Sequence, residues 1–235
     1  MIKAVLFDMD GTLYLQPRLR ALMAGELVTV PWLHHAPWRV KRVWTALKVF
    51  RGVREDLRSL GRPDVSLERL QYSEAASRAR MAVAEMEQVV AEWIVRRPLK
   101  YLPHVMRPGT REVLSQLRAS GLKVGVFSDY PAEDKLKAMR LDRLVSLTID
   151  ATEPDVNAFK PHPRGFLAAA ERWHLPPQAI LYVGDRPEVD AAGAAAAGMR
   201  CAVIGAALPA NLVPFLTLAG MADLASLVDR DRSQL

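Results

Sequence analysis

The chain has 235 residues, 50% of them hydrophobic, a formal net charge of +6 and a single cysteine. That length and apolar content support a sizeable core and exclude an intrinsically disordered chain. One cysteine excludes an internal disulfide, and a first strand that starts almost at once leaves no visible signal peptide, so a reducing, cytoplasmic setting is expected.

The first predicted element is a buried parallel strand over the apolar run Ile2–Phe7. Asp8-Met9-Asp10-Gly11-Thr12 follows it. Two carboxylates two residues apart, just past a strand, can face the same side, and Gly11 lets the backbone turn sharply. Two readings stand at this point. One is a solvated turn, where Asp and Gly are common. The other is a pair that holds Mg²⁺ and divides chemistry between a nucleophile and a proton donor.

Residues 15–104 show helical periodicity and no convincing strand. Helices are predicted over Pro37–Arg51, where Val40, Val43, Trp44, Leu47 and Phe50 form a stripe, and across Leu67–Val95. The stripe reads as ordinary helix packing. The lesser reading, a basic helix lying on a membrane, is disfavoured because the same segment supplies partner helices. The segment holds 16 Lys+Arg against 9 Asp+Glu, a surplus of +7, whereas the rest of the chain sums to −1. Such a basic body attracts anions without choosing among them. Pro98 and Pro103 mark its end.

From about residue 105, helix and strand alternate. Helices are predicted over Gly109–Ser120, Glu133–Arg140, Pro163–Trp173 and Val189–Ala197, with a final one over Ala222–Val228. Strands are predicted over Leu122–Phe127, Val145–Ile149 and Ala179–Val183, with Arg200–Ile204 as the last. The region after Cys201 carries Pro209 and Pro214 and makes a poor membrane span.

This alternation indicates an α/β fold: a Rossmann-like parallel sheet with helices on both faces, plus an all-helical insert. Ligands in such folds bind beyond the carboxyl ends of the strands. Asp8, Asp10, Ser128 and Asp185 fall there, with Lys160 before a helix and Asp190 just downstream. Each has a structural reading taken alone: a turn, a surface lysine or a helix cap. Their joint occurrence after successive strands is what makes them a candidate site.

The constellation resembles the haloacid dehalogenase-like hydrolase superfamily, in its phosphatase branch with a helical cap after the first motif (phosphoglycolate phosphatase-like). Asp8-Met9-Asp10-Gly11-Thr12 is similar to the first motif, Ser128 to the second, Lys160-Pro161 to the third, and Val183-Gly184-Asp185 with Asp190 to the fourth. The resemblance implies a core over residues 1–14 and 105–235 and a cap over 15–104. It implies that Asp8 attacks phosphorus to form an aspartyl-phosphate and that Asp10 works as acid and then base. Mg²⁺ would be held by Asp8, the Asp10 carbonyl and Asp185, with Asp190 in support. Ser128 and Lys160 would hold phosphoryl oxygens. The presence of Asp10 favours a phosphate ester over a carbon–halogen bond.

Two positions depart from the family pattern. Asp129 stands where asparagine is frequent and is expected to cap the turn; Arg186 stands where a small hydroxyl residue is frequent, and either adds charge near the metal or points to solvent. Arg18, Arg20, His34 and Lys100 are candidate substrate contacts in the basic insert. His34 and His35 lack a zinc spacing, His162 and His174 read as packing or surface residues, and Cys201 reads as inert packing. The expected partner is a small phosphorylated metabolite rather than nucleic acid or a membrane. The rivals are a phosphomutase using the same intermediate and a non-catalytic binding protein using the basic insert.

Overall fold

The structure is a computed structural model that describes residues 1–33, 38–205, 215–224 and 226–227. It begins with strand β1 (Ala4–Phe7). Four helices follow: α1 (Gln16–Leu33), α2 (Trp38–Arg58), α3 (Leu67–Ala79) and α4 (Val83–Val90). A π-helical turn over Ala91–Arg96, a 3₁₀ turn over Arg97–Lys100 and the short α5 (Leu102–Val105) lead back to the sheet. Then come α6 (Thr110–Ala119), β2 (Lys123–Ser128), α7 (Glu133–Ala138), β3 (Leu147–Asp150) and α8 (Arg164–Trp173). The chain continues with β4 (Ile180–Gly184), a π-helical turn over Pro187–Ala191, α9 (Ala192–Ala196), β5 (Arg200–Ile204) and β6 (Phe215–Leu218).

The six strands form one sheet in the order β3-β2-β1-β4-β5-β6, and every pairing is parallel. β1 lies in the middle, where the order reverses between the β2 and β4 sides. That reversal opens a crevice beyond the carboxyl ends of the strands, and the acidic turn after β1 sits at its mouth. The period-two alternation of β1 divides the core. Ala4 and Leu6 pack with Phe127, Phe166 and Trp173 on one face. Val5 and Phe7 pack with Leu114 and Leu117 on the other.

The helical segment leaves the sheet at Tyr14 and returns at Met106, and these two residues form an antiparallel bridge. Arg107 reinforces the crossing. Its Nε donates to the Thr12 carbonyl at 2.9 Å, and its Nη2 donates to the Gly11 carbonyl. Phe50 and Val53 of α2 join Leu67, Ala75 and Met86 in the same buried cluster as β1 and β4 residues, so the insert shares its core with the sheet.

Several boundaries differ from the sequence reading. α2 runs on to Arg58. The stretch expected to be one helix to Val95 breaks after α3, because Arg80 takes a left-handed conformation at the C-cap (φ 53°). β6 follows the strand expected to be last; it is a short edge strand after Pro214, with too few residues for a clear pattern. The predicted final helix is present over residues 221–224 and 226–227, and Val228 lies outside the described residues. Among the described residues no helix is long and apolar enough to cross a membrane.

Candidate active site

The end of β1 delivers Asp8, which is 5% exposed and held from both sides. Thr12 Oγ1 donates to Asp8 Oδ2 at 3.1 Å, four residues on within the same turn. Lys160 Nζ donates to Asp8 Oδ1 at 2.5 Å. Gly11 adopts φ +102°, and a Cβ there would lie 2.1 Å from Asp185 Oδ2. Glycine is therefore required twice over, by the left-handed backbone and by the close approach of the fourth segment.

Lys160 is the hub of the site. Its ammonium also contacts Asp190 Oδ1 at 2.7 Å and Tyr182 Oη at 2.9 Å, which uses all three of its N–H donors. Burial alone would lower the Lys160 pKa, but Asp190, Asp8 and Asp129 outweigh it and hold the lysine charged. The π-helical turn after β4 orients Asp190. Its Oδ2 accepts the main-chain N–H groups of Asp185 (3.1 Å) and Arg186 (3.0 Å). A Cβ on Gly184 would lie 2.4 Å from the Asp190 carboxyl carbon, so glycine is what lets this carboxylate tuck against the strand end.

The carboxylates of Asp8, Asp185 and Asp190 lie within 4.8 Å of one another. Burial pushes Asp8 well above the usual carboxylate range; Lys160 opposes the rise, and Asp190, Asp185 and Asp10 add to it. Asp185 is pushed up to about 6, by burial first and then by Asp190. Asp185 Oδ1 is buried with no hydrogen-bond partner. An orphaned oxygen in a cluster with surplus negative charge fits a hard divalent cation, and an all-oxygen donor set suits Mg²⁺. Asp190 has both oxygens engaged by protein donors, so it fits a supporting place beside such an ion.

Asp10 lines the same cavity as Asp8, Lys160, Asp185 and Asp190. Its Oδ1 accepts from Lys135 Nζ at 2.5 Å and from Tyr14 Oη. Burial, and then the charge of Asp10, keep the Tyr14 phenol protonated and so a donor. Ser128 ends β2 fully buried, and its Oγ accepts the Tyr130 N–H at 3.2 Å. The serine is thus a turn cap whose O–H remains to donate, but it does not line the cavity.

The two departures from the family pattern have other partners than expected. Asp129 pairs with Arg58 at 2.7 Å and accepts the Lys160 main-chain N–H at 3.3 Å, rather than capping its own turn. Arg186 lines the cavity, and its positive charge opposes the rise of the Asp185 pKa; it also pairs with Glu55 of α2 at 3.1 Å and with Glu188 at 2.9 Å. Both positions therefore face α2. Of the candidate substrate contacts, Arg20 lines the cavity and Arg18 does not; Lys100 is engaged by Glu26 at 2.9 Å, and His34 lies outside the described residues, as does His35. His162 caps α8 by accepting the Arg164 N–H at 3.2 Å, and Cys201 is buried. Trp44 departs from the packing reading: it is 54% exposed and lines the cavity.

A haloacid dehalogenase-like hydrolase family model matches residues 2–198. The chain belongs to this family, and it is an enzyme. Among curated relatives, the phosphoglycolate phosphatase of Escherichia coli K12 is 28% identical over 211 residues, 83% of this chain and 78% of that protein. The glyceraldehyde 3-phosphate phosphatase of Methanopyrus kandleri is 27% identical over 214 residues, covering 85% and 82%. The family fold is also seen in a phosphatase from Thermococcus onnurineus, at TM-score 0.67 and 24% identity, covering 97% and 98%. A 2-haloacid dehalogenase from Pseudomonas syringae matches at TM-score 0.67 and 25% identity, covering 98% and 99%.

Sequence reasoning missed four contributors. Lys135, Tyr14 and Tyr182 hold the carboxylates, and Arg107 holds the loop that carries them. A signal existed for Lys135: it shares a helix face with Ala132 and Met139, both buried, and a lysine in register with a buried face is not a surface lysine. Tyr182 sits inside an apolar strand, where its phenol needs a polar partner.

Proposed function

We propose that the protein is a Mg²⁺-dependent phosphatase that hydrolyses a small phosphorylated metabolite through an aspartyl-phosphate on Asp8. The observation that carries this reading is the Lys160 ammonium held between Asp8 and Asp190, next to the orphaned oxygen of Asp185. It puts a nucleophile, a buried cation and a candidate metal ligand within reach of one phosphoryl group. The relatives named as phosphatases support it.

In this reading Asp8 attacks phosphorus, and the ester oxygen leaves with a proton from Asp10. Lys135 and Tyr14 fix the Asp10 carboxyl toward the cavity. Asp10 then takes a proton from the water that attacks the acyl-phosphate, which frees Asp8 and inorganic phosphate. Lys160 moves its hydrogen bond from Asp8 to a phosphoryl oxygen as charge builds there, while Ser128, buried outside the cavity lining, caps the turn that carries Asp129 and Tyr130 into it. Asp8, Asp185 and the main-chain carbonyl of Asp10 would hold Mg²⁺, which draws charge from the phosphoryl oxygens when bound. Residues 15–104 serve as a cap that shields the site from water and contacts the organic part of the substrate.

The test is a panel of phosphorylated metabolites, phosphoglycolate and glyceraldehyde 3-phosphate among them, assayed for free phosphate with and without Mg²⁺. Release that needs Mg²⁺ and disappears in Asp8→Asn supports the reading. A product that keeps its phosphate points to a mutase. Salt-sensitive binding to nucleic acid, without hydrolysis of any ester, points to a binding protein. Mg²⁺ should also raise the melting temperature of the wild type and leave that of Asp185→Asn unmoved.

A further inference from the structure

The cavity at the acidic cluster has a volume of about 860 Å³, toward the upper end of the ~300–1,000 Å³ usual for small-molecule sites. Two of its walls are helix faces. α1 contributes Leu19, Arg20, Met23 and Leu27, and α2 contributes Trp44, Leu47, Arg51, Arg54 and Arg58. Spacings of three and four residues, from Leu19 or Arg20 through Met23 to Leu27 and from Trp44 through to Arg58, put each set on one face of its helix.

Both faces are graded in polarity. At the near end of α2, Arg58 donates to the Lys160 carbonyl at 2.6 Å and Arg54 to the Asp129 carbonyl at 2.6 Å. Arg51 comes next, and it lies close enough to Arg20 for the two charges to repel. Burial lowers the Arg51 pKa, Tyr130 opposes this, and Arg20 lowers it further. Among the described residues, neither the Arg20 nor the Arg51 guanidinium has an ion-pair or hydrogen-bond partner. Beyond this cationic belt the lining is mainly apolar, with the Lys48 ammonium 5.3 Å from the centre of the Trp44 ring. Leu27, Leu47 and Trp93 form a small buried cluster of their own, and Trp44 stands open to the cavity beside it. From Arg58 to Trp44 the helix rises by about 21 Å.

A two- or three-carbon phosphate would occupy the acidic end and the belt and leave Trp44 uncovered. We propose that the cavity takes a phosphate monoester with a large apolar body, alkyl or aryl. Its phosphate lies at Asp8 and Lys160, its polar neck at Arg20 and Arg51, and its body against Met23, Leu47 and Trp44. The inference rests on the phosphoryl reading of the Asp8 end. It goes beyond the small metabolites in the names of the relatives, and it gives the surplus charge of the insert a role in holding a polar neck.

The test compares kcat/KM of the full chain for ethyl, butyl and octyl phosphate, 1-naphthyl phosphate and phosphoglycolate. Each methylene newly buried tightens binding by up to about fourfold, so octyl or naphthyl phosphate should exceed ethyl phosphate by at least about tenfold. The octyl and naphthyl arms tell a chain from a ring. Trp44→Ala should cut the octyl-to-ethyl ratio about fivefold, and its exposed position spares the fold. A flat series, or phosphoglycolate preferred over every apolar ester, overturns the inference. A second measurement needs no turnover: calorimetric binding of ethylphosphonate and octylphosphonate to Asp8→Asn. Octylphosphonate binding at least about tenfold tighter supports the subsite even if no ester is hydrolysed, an outcome that would sink the phosphatase reading alone. Equal affinities overturn the subsite whatever the hydrolysis assays return.

Discussion

Asp129 and Arg58 form an ion pair at 2.7 Å that joins the turn after β2 to the end of α2. Arg58 also donates to the carbonyl of Lys160, so the same guanidinium touches the segment that carries the lysine of the candidate site. Arg186 and Glu55 repeat the connection with the charges reversed, and Glu55 also pairs with Arg58 at 2.9 Å. The two core positions that depart from the family pattern thus both engage one helix of the insert. Arg54, buried beside Asp129, lies over the rings of Tyr130 (3.8 Å) and Phe159 (4.2 Å).

Asp129→Asn should therefore loosen the insert from the sheet. Burial would raise the Asp129 pKa, but Lys160, Arg58 and Arg54 hold it below the usual carboxylate range. A lowered acid stabilises the fold above its unfolded pKa near 4, and that stabilisation is lost as pH falls through its folded pKa. The variant should lose about 1–3 kcal/mol at pH 7, and the gap should close on acidification below pH 4. Urea titrations of both proteins at pH 7 and pH 3.5 measure this.

Asp150 carries the opposite sign. Burial and then Glu153 push it up to about 6, with Lys135 opposing, and its Oδ1 is buried without a partner. A raised acid binds its proton more readily in the native state, so the protein loses stability as pH rises from about 4 to about 6. Asp150→Asn should stabilise the protein by about 1–2 kcal/mol at pH 8, after discounting for partial exposure, and by little at pH 4. Melting temperatures across pH 4–8 should diverge toward the alkaline side; parallel curves would contradict this.

Lys160→Met removes the one cation shared by Asp8 and Asp190. It leaves two buried carboxylates without their charge partner, at a cost of about 3–5 kcal/mol, and it removes the proposed phosphoryl contact as well. Chemical denaturation and a phosphate-release assay should both report the loss. A variant that keeps wild-type stability would mean that Asp8 and Asp190 do not depend on this lysine.

Lys135→Met tests the support of Asp10. If Lys135 aims the group that protonates the leaving oxygen, the loss should be largest where that oxygen most needs a proton. kcat should fall by roughly tenfold to a hundredfold for alkyl phosphates, and much less for p-nitrophenyl phosphate. Equal losses for both esters would assign Lys135 a structural role only.

Much of the fold and most residues of the candidate site were legible in the sequence, because both rest on local signals. β1, β2, β4 and β5 are apolar runs that end at polar turns, and Asp8, Asp10 and Asp185 lie at those ends. What was not legible depends on contacts across long separations. Asp129 reads as a turn cap until Arg58, distant in the chain, is brought against it. Arg107 is one of many arginines until the bridge between Tyr14 and Met106 aligns it with the carbonyls of Gly11 and Thr12. Trp44 fits a helix-packing stripe equally well whether or not another helix covers it, and only the packed structure leaves it open to the cavity.

The central claim, that Asp8 itself receives the phosphoryl group, is tested most directly by mass spectrometry of the enzyme quenched during turnover of a hydrolysed ester. The account predicts one added phosphoryl group on the peptide bearing Asp8 and none in Asp8→Asn. Turnover with the phosphoryl group on another residue, or an Asp8→Asn variant that hydrolyses the same ester at the wild-type rate, would contradict it.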